Sequence, residues 1–223
     1  MVGTARTAMD DSLKIVWNPR AAFSDIQESP VIWVPYVVWM ALATVAAVIS
    51  VPHVFSLTMQ QSGAATGQAQ AVSQAAVYVG AVFRGLAGPW LKGAVLALIL
   101  MGFGLFLGGG TPYKTYLAMV GYIQIPNLVG NILTSLLVFR AGSLAEATRI
   151  SLGPAAFFPN LQGAAYALLY SMNIFGLWSL CLLVIGFAAM HRRSALQVAW
   201  VGGLWFLASF AISAMSTSIT LPS

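Results

Sequence analysis

Gln124, Asn127, Asn131 and Ser135 follow one another at spacings of 3, 4 and 4 residues. On a helix that rhythm places all four on one stripe. Their amides and hydroxyl can donate and accept hydrogen bonds, so the stripe can tie helices together or line a path for a polar solute. The surrounding run, 111–139, is apolar and long enough to cross a bilayer. An amide without a partner in hydrocarbon costs several kcal/mol, so these side chains must face other helices or a wet cavity. Pro126, among them, lacks an amide hydrogen and predicts a kink that frees a carbonyl near Tyr122.

Catalytic chemistry finds little support. The carboxylates are Asp10, Asp11, Asp25, Glu28 and Glu146. Four precede the first apolar run and the fifth is expected across the membrane from them, so no pair stands at membrane depth for acid–base work. His53 and His191 are expected on opposite sides, and no His-Glu-x-x-His zinc motif occurs. No Gly-x-Ser-x-Gly nucleophile turn occurs either. The single cysteine, Cys181, lies in an apolar run, which excludes an intramolecular disulfide and reads as a small buried packing residue. No catalytic, cofactor-binding or metal-ligating residue is assigned, and no cofactor or enzyme activity is expected.

The elements that carry the stripe follow from composition. Of 223 residues, 59% are hydrophobic and only 7% charged, with a mean hydropathy of +0.85. A soluble domain carries roughly a quarter charged residues, so lipid must cover most of this surface. The net charge of +5 is scattered. It points to anionic lipid headgroups and away from nucleic acid. No signal peptide is visible, since the first apolar run begins near Val31 and is long enough to span.

The expected fold is an all-α polytopic membrane protein with five transmembrane helices plus interfacial amphipathic helices. Spans are placed at about 31–51, 90–108, 112–139, 173–190 and 194–215. A cytoplasmic amphipathic segment, 1–29, precedes the membrane domain, 30–218, and a short tail, 219–223, follows. In the first segment, Asn18-Pro19 reads as a cap and first helical residue, with Ala22, Phe23 and Ile26 on an apolar face. That helix either lies in the headgroup interface or docks on the protein's own cytoplasmic side.

Trp33, Tyr36 and Trp39 are expected at a headgroup boundary. Pro52 and His53 are expected to end the first span, and residues 60–71 to form a loop. A further helical piece, with Val72, Ala75, Val79, Phe83 and Leu86 on one face, is expected to break at Gly88-Pro89 and to lie in the interface. Lys92 then falls near the mouth of the second span, leaving no ionisable group in mid-membrane. Gly104 and Gly108 offer a close helix contact. Thr111 and Pro112 read as the cap and first residue of the third span. Ser143 and Glu146 form a capping box for a short helix. Gly202, Ser209, Ser213 and Ser216 give the last span a small-residue face.

Basic residues favour a cytoplasmic N-terminus and an outer C-terminus, with Arg192 and Arg193 in a tight turn as the most informative pair. On that side Arg20, Lys114, Arg192 and Arg193 are candidate contacts for headgroup phosphates, or plain topological anchors. The setting these residues imply is an integral membrane protein with its N-terminus inside.

Three stretches carry a family resemblance: NPRAAFSDI at 18–26, GGGTPYKTYLAMVGYIQIP at 108–126 and NIFGLWSLCLLVIGF at 173–187. Their order, with the five-span layout, resembles the bacterial branch of the Yip family of Ypt/Rab-interacting membrane proteins over roughly 15–215. The resemblance implies an integral membrane protein with a cytoplasmic N-terminus and no known catalytic residues. Eukaryotic members are associated with Golgi and ER trafficking, Rab-type GTPases and membrane organisation. The long N-terminal extension typical of those members is not expected here, which weighs against GTPase binding and favours the bacterial branch. Lys114, Gly121, Tyr122 and Pro126 fall in the family's pattern, which assigns them no chemical role.

Two functions remain. One is a non-enzymatic protein that organises membrane or binds lipid or protein partners, including a second copy of itself. The other is a small-solute transporter or channel using the stripe of the third span.

Overall fold

Asn18 caps the first helix as its sequence anticipates: its Oδ1 accepts a hydrogen bond from the Ala21 amide at 3.3 Å, and Pro19 opens helix α1, Pro19–Glu28. The computed structural model describes residues 14–62 and 68–220. The expected N-terminal tail up to residue 13, the middle of the 60–71 loop and residues 221–223 of the C-terminal tail lie outside that range.

Helices α2 (Trp33–Ser62), α3 (Gln68–Phe106), α4 (Tyr113–Ile123), α5 (Ile125–Val138) and α6 (Leu144–Arg149) follow. A 3₁₀ turn at Pro154–Phe157 leads to α7 (Gly163–Ser171), α8 (Ile174–Met190) and α9 (Ala195–Thr220). No strand occurs among the described residues. Trp33–Gln60, Gln74–Phe106 and Tyr113–Val138 are long and apolar enough to cross a membrane. The pair α7 and α8, bent by 61°, makes a fourth if it counts as one span.

Two expected breaks do not occur. Helix α2 runs through Pro52 and His53 to Ser62, and α3 runs through Pro89 from Gln68 to Phe106. Proline removes one ladder hydrogen bond, but inside a packed apolar bundle the neighbouring helices repay that loss. The membrane-crossing part of α3 therefore starts near Gln74 rather than at 90, and Val79 and Phe83 face outward on the same helix as Lys92. The side chain of Val72 lies outside the described residues.

The third span is interrupted two residues before Pro126. Gln124 separates α4 from α5, and its amide meets the Tyr122 carbonyl that the proline leaves free. Helix α4 starts at Tyr113, one residue later than expected, with Pro112 at its cap position and no side-chain cap from Thr111. The Ser143 cap holds: Ser143 Oγ accepts from the Glu146 amide at 3.2 Å, and Glu146 Oε2 accepts from the Gly142 amide at 2.8 Å.

The core forms where α1, α2, α3, α4 and α8 meet. Tyr36, expected at a headgroup boundary, is fully buried, and Trp39 is nearly so, while Trp33 is exposed. Tyr36 lies flat between two glycines. A Cβ on Gly93 would meet its hydroxyl at 1.9 Å, and one on Gly121 would meet its Cε2 at 3.0 Å. Trp90 stacks on the same ring, 4.4 Å between centroids.

Helix α1 docks on the bundle, with Ala22, Phe23 and Ile26 buried, and Gln27 Nε2 donating to the Met190 carbonyl at 3.1 Å. Of the two places open to it, the structure puts its apolar face on the protein. Lys14 pairs with Asp25 on its outer face.

The tight turn after α8 closes with two hydrogen bonds, Arg193 amide to Ala188 carbonyl at 3.0 Å and Arg192 amide to Ala189 carbonyl at 3.2 Å. This is the glycine-type helix stop, yet Arg192 occupies its left-handed position at φ 51°.

Candidate functional site: a polar crevice around Lys92

Lys92 is the side chain that the sequence misplaced. It lies inside the apolar stretch Gln74–Phe106, 14 residues or about 21 Å before the end of α3. Asn127 lies 14 residues into the returning α4–α5 span. An ionisable residue therefore stands within an apolar stretch long enough to cross a membrane. The unbroken apolar rhythm from Val79 to Leu86 through Pro89 was the available signal, because proline is tolerated in membrane helices.

Lys92 lines a cavity of about 200 Å³ together with Gln124, Asn127, Asn173, Ser179 and Ser209. It is the one charged residue in that lining. Its Nζ lies 5.9 Å from the centre of the Trp39 ring, a cation–π distance. Among the described residues the single ion pair is Lys14–Asp25, so Lys92 has no carboxylate beside it.

The stripe divides along its length. Gln124 is buried, and its Oε1 accepts from Asn127 Nδ2 at 3.1 Å. Asn127 also lines a second cavity of about 120 Å³, with Asn131, Thr134, Tyr170 and Asn173. Ser135 lines neither cavity. The second cavity reaches the Ile150–Leu152 loop on the far side. Pro126 is buried in the first turn of α5.

The break between α7 and α8 supplies the opposite wall. Asn173 Oδ1 accepts from the Gly176 amide at 2.7 Å and so caps α8 at that break. Gly153 lies against this break, where a Cβ would approach Asn173 Cα to 2.8 Å. Ser179, one turn further on, is 6% exposed and its hydroxyl has no hydrogen-bond partner. Sequence reading marked Asn173 only as the start of the fourth span and did not single out Ser179. Ser209, read as part of a packing face, lines the cavity instead. The side chains of Ser213 and Ser216 lie outside the described residues.

Toward α1 and the α8–α9 turn the crevice stops on solid packing. Phe23, Leu96, Leu100, Met119, Tyr122, Leu183 and Phe187 are all essentially fully buried there.

Arg20, Lys114, Arg192 and Arg193 are all exposed. His191, beside the last pair, meets the Tyr116 hydroxyl at 2.8 Å and the Phe187 ring at 4.5 Å between centroids. Gly104 makes room for this pair, since a Cβ there would lie 1.9 Å from the Tyr116 hydroxyl. Gly108 touches nothing comparable and serves the turn instead, at φ +74°.

Burial first, and the Arg193 guanidinium second, hold the His191 imidazole below its ordinary value of 6.5. Folding thus favours the neutral ring. That stabilisation is whole above about pH 6.5 and is lost as the pH falls through the lower, folded value. Acidification from about pH 7.5 to 5 should therefore lower the melting temperature of the wild type more steeply than that of His191→Gln. Parallel pH curves for the two proteins in detergent would sink this account.

The other singled-out residues have structural roles. His53 Nε2 meets the Ala141 carbonyl at 2.9 Å. No cluster of three metal-binding side chains occurs among the described residues. Cys181 is exposed rather than buried. Nearly every residue of α8 is apolar, so hydrophobicity could not tell its lipid-facing side from its packed side.

Long apolar helices around a buried polar seam define an integral membrane protein. The chain belongs to the Yip1 domain family, which matches residues 13–216. It is also 25% identical over 210 residues to the membrane protein YknW of Bacillus subtilis (strain 168), covering 91% of this chain and 87% of that one. No solved structure matches it.

Proposed function

We propose that this is a non-enzymatic binding protein of the bacterial inner membrane that holds lipid or protein partners and so organises the membrane around it. The observation that carries the reading is the Lys92 crevice: a polar, singly charged recess among apolar helices that ends on a packed apolar layer. Such a recess holds a ligand and does not conduct one. Five spans, with α9 as the fifth and α7–α8 as one bent fourth, would put the termini on opposite sides, and the basic residues favour the N-terminus in the cytoplasm. Arg20, Lys114, Arg192 and Arg193 then face the inner leaflet together, where each basic residue gains about 1 kcal/mol near an anionic surface.

A carrier is the second reading, favoured by the second cavity, which shares Asn127, Tyr170 and Asn173 with the first and continues to the far-side loop. Asn127→Leu combined with Asn131→Leu separates the two. For a binding protein the pair should leave no flux to lose in liposomes, while changing which lipids or proteins co-purify in native nanodiscs. A solute flux present in the wild type and abolished in the double variant would replace the binding reading with the carrier.

A further inference from the structure

We propose that the crevice is an anion site, taking one carboxylate- or phosphate-sized group between Lys92 and the start of α8. The inference deepens the binding reading above and rests on it.

Three independent features converge there. Lys92 brings a full positive charge to a recess with no carboxylate in its lining. Helix α8 begins at the α7–α8 break with Asn173, and its opening residues Gly176 and Leu177 line the same recess. The Gly176 and Leu177 amides are already bonded to Asn173, so what this first turn offers an anion is the positive end of the helix dipole. Ser179 adds a hydroxyl that is buried, lines the recess and has no partner in the protein. A buried donor without a partner is costly, and a ligand oxygen at this place would supply what the protein does not. A broken helix whose inner end faces a mid-membrane recess is how membrane proteins hold anionic groups away from water.

The volume of about 200 Å³ sets the ligand's size. It suits one phosphate or carboxylate group with a few waters and excludes a whole lipid. The anion is thus either free, entering from the far side past Asn131 and Thr134, or the headgroup of an anionic lipid drawn in from that leaflet.

The test uses the full chain in nanodiscs. In discs of phosphatidylcholine alone, sodium phosphate titrated against sodium chloride at equal ionic strength should raise the melting temperature. In discs doped with phosphatidylglycerol, native mass spectrometry should show that lipid retained above its bulk fraction. Protection by phosphate identifies a free anion, and enrichment of the lipid identifies a headgroup.

Either effect should weaken at least tenfold in Lys92→Gln and survive in part in Lys92→Arg. Ser179→Ala should weaken it too while melting no lower than wild type without anion, because it removes an unpartnered hydroxyl. No anion effect in the wild type, or one that is equal in Lys92→Gln, overturns the site. If neutral lipid or a protein partner is still retained in that case, the broader binding reading stands and only the anion site falls.

Discussion

Gly93→Val should give a protein that no longer assembles a stable bundle in detergent. The first atom of any side chain at this position would fall 1.9 Å from the Tyr36 hydroxyl, and 2.6 and 2.7 Å from two ring carbons. Tyr36 cannot step aside, because Gly121 presses on the other face of its ring and Trp90 stacks against it. Overpacking a core costs about 1–3 kcal/mol when the neighbours can shift, and more when they cannot. Melting temperature by intrinsic fluorescence is the readout. A variant within a degree or two of wild type would mean that α2 and α3 separate freely, and the packing of Tyr36 described here would be wrong. Gly102→Val is the control, since nothing lies within 4 Å of a Cβ there.

Phe23→Ala should be nearly as damaging, even though α1 lies before the first span. Phe23 is fully buried, and its ring fills a notch at Gly186, where a Cβ would sit 3.1 Å from the ring and 3.0 Å from Met119 sulfur. Emptying a packed phenylalanine site costs about 3–5 kcal/mol. At about 2–4 °C per kcal/mol for a chain of this size, the melting temperature should fall by roughly 6–20 °C. Trp17→Ala, at a residue that is 86% exposed, should leave the melting temperature unchanged and weaken attachment to lipid instead. Equal, small effects of the two substitutions would return α1 to the role of a loose interfacial helix.

These predictions also mark how far the sequence could be read. Asn18-Pro19, Pro126 and the Ser143 box were legible because each acts locally: a cap or a missing amide hydrogen needs no partner from elsewhere in the chain. The stripe on the third span was legible as a polar anomaly in an apolar run.

What stayed hidden was which neighbour each side chain meets. Trp33, Tyr36 and Trp39 form one aromatic cluster in the sequence, yet one faces out and two face in. Lys92 was placed at a boundary because Gly88-Pro89 looked like the end of a helix, and that error removed the one charge from the site. Ser179 and Asn173 sit in runs whose composition says only that they are in the membrane. Their role depends on the 61° bend that brings α8 to the cavity.

The unequal lengths of the helices bear on the bilayer itself. The apolar stretches of α2 and α3, 28 and 33 residues, measure about 42 and 50 Å. Helix α8, at 17 residues, measures about 25 Å. Hydrocarbon about 30 Å thick matches neither. Lipid beside α2 and α3 is stretched unless those helices tilt or protrude, while lipid beside α8 is compressed. A membrane that carries this protein acquires a gradient in thickness across one molecule, and neighbouring proteins with long or short spans would be sorted to opposite sides of it.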